Sequence, residues 1–65
     1  MITVLEETAT GMQRDGRRLS RRVYLATDGA DILPDDAAPG SLALVRNGSD
    51  VQIKLLFPDG VWCAV

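Results

Sequence analysis

Two turn signals divide the C-terminal part of the chain into short strand-like runs. Asn47-Gly48 separates Ser41-Leu42-Ala43-Leu44-Val45-Arg46 from Val51-Gln52-Ile53-Lys54-Leu55-Leu56-Phe57, and Pro58-Asp59-Gly60 separates that run from Val61-Trp62-Cys63-Ala64-Val65. Asn-Gly supplies the positive φ that a two-residue hairpin loop demands, and Pro-Asp-Gly favours a tight reversal. Val51, Ile53, Leu55 and Phe57 recur at period two, with Gln52, Lys54 and Leu56 on the opposite face. Residues 41–65 therefore read as a three-stranded antiparallel meander.

The first half is less regular. Ile2 to Leu5 reads as a strand, and Thr8 to Gly16 as a long turn closed by Asp15-Gly16. From Arg17 to Thr27, Leu19, Val23 and Leu25 share one parity, while Arg18, Ser20, Arg22, Tyr24 and Ala26 share the other. A helix from Met12 to Ala26 would stack Leu19 on Val23, but Gly16 inside it costs about 1 kcal/mol and Val23-Tyr24 prefer a strand. The strand is the favoured reading. Between the halves, residues 28–40 hold two prolines, two glycines and four aspartates, which exclude a strand interior. Ile32 and Leu33 are the large apolar residues of this loop and are expected to plug against the sheet. The expected fold is all-β: one domain over residues 1–65, a small antiparallel sheet or barrel-like structure ending in the meander.

A chain of 65 residues buries only roughly 60% of the surface it exposes when unfolded. Such a thin core is usually supported by a disulfide, a metal or a partner. One cysteine, Cys63, allows no intrachain disulfide, and the absence of histidine leaves no set of four zinc ligands. Cys63 has no basic neighbour in sequence and reads as a small core residue. Assembly with other chains is the remaining support, and a trimer or small ring is expected. Catalysis is disfavoured, because no histidine-dependent nucleophile can be built and no phosphate or dinucleotide motif is present. No cofactor is expected. The N-terminal run lacks a basic leader and no window has the length of a membrane span, so use in the cytoplasm or in something assembled there is expected.

Charge is unevenly spread. Arg14, Arg17, Arg18, Arg21 and Arg22 are opposed locally only by Asp15, whereas the charges from Asp28 to Asp36 are all acidic. Arginines at this density could contact phosphates. The pI near 4.7 and the scarcity of aromatics argue against nucleic acid, which wants stacking platforms as well as cations. A protein surface rich in carboxylates suits Arg17, Arg18, Arg21 and Arg22 better, since guanidinium matches carboxylate bidentately. The aspartates lack the spacing of a calcium loop and are better explained as turn residues. Trp62, Phe57 and the Ile32-Leu33 pair are the candidate apolar anchors of an interface. Trp62 reads either as an outward-facing anchor or as a lid on the core.

The segment Leu33-Pro34-x-x-Ala37-Ala38-Pro39-Gly40-Ser41-x-Ala43-x-Val45, the hairpin after it, and Gly60-x-Trp62 resemble small structural proteins of tailed bacteriophages. These are proteins of the head-fibre, decoration or minor structural type. The resemblance covers residues 33–65, about half of the chain. It departs where relatives often carry Ile-Tyr-x-Leu and this chain has Ile53-Lys54-Leu55-Leu56. What it implies is a non-enzymatic virion component, assembled in the host cytoplasm, whose partners are capsid, neck or tail proteins. The alternative is a small SH3-like or OB-like barrel adaptor that binds a peptide or nucleic acid, for which a groove of clustered aromatics would be needed.

Overall fold

Gly48 and Gly60 adopt φ of +65° and +83°, so both C-terminal turns form where the glycines permit them. The strands they join are β3 (Leu42–Asn47), β4 (Asp50–Leu56) and β5 (Trp62–Ala64). They pair as consecutive antiparallel neighbours, the expected meander. Ahead of them lie β1 (Ile2–Arg14) and β2 (Arg17–Ala26), joined by a turn in which Asp15 and Gly16 both have positive φ. The computed structural model describes residues 1–65 as one five-stranded sheet in sequence order, without helix. The fold is all-β. β1 and β5 are its two open edges.

The structure departs from the sequence reading of the strands in two places. Thr8 to Gly16 is strand rather than long turn as far as Arg14. The ladder tolerates the surplus residues because Thr10-Gly11-Met12 loop out opposite Leu19 and pairing resumes at Gln13 with Arg18. Gly11 takes φ +75°, and the Thr10 hydroxyl donates to the Leu19 carbonyl at 2.7 Å, which fixes the bulge. The second departure is that β2 and β3 run parallel, in register from Val23 with Leu42 to Ala26 with Val45. A parallel pair requires a crossover of a dozen or more residues, and residues 27–41 supply it. The structure also decides which face of β4 is inside, a choice the alternation leaves open. Leu56 is buried, whereas Val51, Ile53 and Phe57 of the period-two series are exposed.

The crossover covers one face of the sheet and makes the core. Tyr24, Ala26, Ala43, Val45 and Leu56 cluster with Ala37 of the crossover, and Ile2, Leu33 and Trp62 pack against them. The small side chains at 26, 37, 38 and 43, all at 0% exposure, let the crossover backbone lie close to the strands. Ser41 is the buried polar joint. Its hydroxyl donates to the Ala38 carbonyl at 2.6 Å and accepts from the Arg22 backbone N–H at 3.1 Å. Ala38 N–H donates to Ser20 and Gly40 N–H to Leu56, so the segment ties β2 to β4. Leu33 plugs as expected, but Ile32 points to solvent at 89% exposure. Two adjacent residues of an extended loop face opposite ways, so only one can enter the core.

Candidate functional site

The β1–β2 hairpin outruns the rest of the sheet. β3 first pairs with β2 at Val23, and the crossover reaches no further along β2 than Ser20 through backbone bonds. Leu19 is still buried, so the arm is residues 9–18, and the protein measures 39 × 20 × 16 Å along its principal axes. Of the predicted contact residues, Arg17, Arg18 and Arg21 are exposed and make no ion pair within the chain.

Arg22 behaves differently. It donates to the Glu7 carboxylate and to the Tyr24 hydroxyl at 3.2 Å, with Asp36 3.6 Å away. The Tyr24 and Glu7 hydrogen bonds hold its guanidinium more firmly charged than usual. Glu7 is available because Leu5 is an extra residue in β1: Val4 pairs with Tyr24 but Glu6 pairs with Val23. That bulge inverts the alternation and brings Glu7 to the same face as Arg22. Arg22 is thus an internal strut.

Arg14, Arg17, Arg18 and Arg22 line an open cleft of about 550 Å³ whose opposite wall carries Asp35 and Asp36. Arg14 also donates to the Asp35 carbonyl at 3.4 Å. The acidic loop is consumed locally elsewhere: Asp28 accepts from the Ala30 N–H at 2.9 Å, and Asp31 pairs with the N-terminal ammonium. The latter contact lowers the Asp31 carboxyl below its ordinary value of 3.8. No three acidic or cysteine side chains come together as a metal-holding group.

The apolar candidates separate in the same way. Trp62 is half-buried, its ring meeting Tyr24 edge-on at 6.0 Å and its indole N–H donating to the Pro34 carbonyl. The lid reading of Trp62 fits this geometry, and the outward anchor does not. Phe57 stays 44% exposed just beyond β4.

A surface that sequence reasoning missed lies on the other side of the sheet. Cross-strand partners share a face, and the register aligns Val23, Leu42, Leu55 and Cys63 in one row and Leu25, Leu44 and Ile53 in the next. None of them is buried; Leu42 and Ile53 are 37% and 46% exposed. The signal was present as aliphatic residues on both parities of β2, β3 and β4, more than one covered face can take.

No family model, curated protein or solved structure matches the chain.

Proposed function

We propose that this protein is a non-enzymatic structural component of a tailed-phage particle, attached to the capsid or neck in a decoration, head-fibre or minor structural role by protein–protein contacts. The observation that carries the reading is the projecting arm with Arg17 and Arg18, and Arg21 at its base, all free of internal ion pairs. A guanidinium cluster on a narrow hairpin reaches into a neighbouring surface and fits carboxylates there. Exposed pairs contribute only about 0–1 kcal/mol each, so the arm sets orientation and salt sensitivity, and apolar contacts supply strength.

The resemblance over residues 33–65 supports the same reading, and its motif residues have structural work in this fold. Ala37, Ala38, Gly40 and Ser41 form the joint that ties the crossover to β2 and β4, and Pro34 meets Trp62. The motif is therefore a folding signature in this chain, and the proposed partner contact belongs to the arginines outside it. The open sheet order, with β1 and β5 unpaired to each other, offers no closed barrel groove to favour the adaptor alternative.

The test is mass spectrometry of purified particles from a host producing either the natural chain or one with Arg17, Arg18 and Arg21 changed to serine. The natural chain is expected in particles at stoichiometric levels, and the triple variant at reduced levels that fall further as salt rises. Absence of the natural chain from particles rejects the virion role; equal incorporation of both rejects the arm.

A further inference from the structure

The face opposite the crossover is the larger unsolved matter in this molecule. Only 9 of 65 residues are buried, and Tyr24 and Leu56 are the only large side chains that are fully so. Meanwhile Val23, Leu25, Leu42, Leu44, Ile53 and Leu55 stand together on the uncovered side of the three central strands. The better part of the aliphatic side chains of β2, β3 and β4 is thus spent on the side that nothing covers. A sheet with one face packed and one face in water normally carries polar residues on the wet side. This one does not.

We propose that this face packs against the same face of a second copy, giving a two-fold dimer with the crossovers outward and the arms free. Three observations favour a second copy as the occupant. An isologous contact needs a self-complementary surface, and the rim carries both signs: Glu6, paired with Val23, on the β1 side, with Arg21 and Arg46 beyond the two ends of the apolar rows. A rim of one sign would repel its own copy.

The size also fits. Four strands spaced about 4.8 Å apart, and a span of about 20 Å from the Arg21 end of the apolar rows to the Arg46 end, give a face of roughly 400 Å². Two copies then remove roughly 800 Å² from water, less than a standard interface and in the range of a weak, reversible dimer. Finally, a thin core with neither disulfide nor histidine metal site gains its missing burial from the same step, so association and stability are coupled. A pair differs from the trimer or ring expected from sequence, and it leaves Arg17 and Arg18 on the arm available to a larger partner.

The inference is independent of the virion reading, because its test needs only the purified chain. Sedimentation of the natural protein from about 1 to 500 μM is expected to pass from monomer to dimer, spanning the weak affinities of an interface this small. Cys63, at the β5 end of one apolar row, reports on the face without any mutation. Its reaction rate with a small aromatic disulfide is expected to fall as dimer forms. Ile53→Lys is expected to weaken association at least about 100-fold, because it buries like charges against each other across the two-fold, whereas an arm variant with Arg17 and Arg18 changed to serine, both off the rim, dimerises as the natural chain does. If Ile53→Lys does not fold, the concentration dependence of the natural chain and of its Cys63 reactivity decides. A folded natural chain that stays monomeric to 500 μM with constant Cys63 reactivity overturns the proposal and leaves the face to a different protein. Association that survives Ile53→Lys but is lost in the arm variant overturns it as well, as does a trimer or larger ring.

Discussion

The indole N–H of Trp62 donates to the carbonyl oxygen of Pro34 at 2.8 Å, across 28 positions of sequence. This bond joins the edge strand β5 to the crossover, and the same indole stands edge-on to Tyr24 at 6.0 Å. The Leu-Pro and Gly-x-Trp ends of the sequence motif are therefore two halves of one contact. Phenylalanine at 62 would keep most of the apolar area and lose the donor, leaving a part-buried carbonyl without its partner. Trp62→Phe is expected to destabilise by about 1–3 kcal/mol. Urea unfolding followed by circular dichroism checks it, since the substitution removes the single tryptophan of the chain.

Ser41 has a comparable role at the other end of the crossover. Its buried hydroxyl serves both the Ala38 carbonyl and the Arg22 N–H. Ser41→Ala deletes both bonds while leaving their partners in place, and is expected to cost about 1–3 kcal/mol. Threonine would restore the hydroxyl but adds a methyl where exposure is 0%, so Ser41→Thr is expected to recover only part of the loss. The denaturation midpoints of the two variants and the natural chain give the ranking.

At Gly48 the cost comes from backbone conformation alone. Its φ is +65° and a Cβ built there meets nothing within 4 Å. Gly48→Val is expected to destabilise by more than about 1 kcal/mol, because a β-branched residue resists the left-handed region. Gly48→Asn, which tolerates that region, is expected to lose only a fraction of this. Equal thermal midpoints for the two variants would contradict the assignment.

Asp31 gives a pH dependence with a definite sign. The N-terminal ammonium, through its hydrogen bond and ion pair, lowers the folded-state pKa of this carboxyl below 3.8. A depressed carboxylate stabilises the fold fully above its unfolded value of about 3.9, and the contribution disappears as pH falls through the lower folded value. The stability gap between the natural chain and Asp31→Asn is expected to be constant from neutral pH to about pH 5 and to close toward pH 2. Urea midpoints across that range measure the gap, and added salt should narrow it.

The all-β class and the meander were legible because they rest on local chemistry, whereas the second half of β1 reads as a turn in the sequence and is strand in the fold. Asn47-Gly48 and Pro58-Asp59-Gly60 act within a few residues, and alternation over Val51–Phe57 needs no distant partner. The arginine cluster was equally visible, since charge density is a property of the sequence. What it could not show was that Arg22 is an internal strut. That depends on the Leu5 bulge, which turns Glu7 rather than Glu6 toward it, and the bulge exists only relative to the paired strand.

The tertiary structure alone decided which face of the sheet is the core. Period two states that Leu55 and Leu56 face opposite ways, but not which way is in. The choice was made by the crossover, whose residues 27–41 run β3 parallel to β2 and pack Leu33 and Ala37 into the cluster of Tyr24 and Leu56. Trp62 went inside for the same reason, and Ile53 with its aliphatic neighbours was left outside. A sequence determines its alternation residue by residue, whereas the side that loses water is fixed by what packs across it. In this protein that cover is a loop from the middle of the chain.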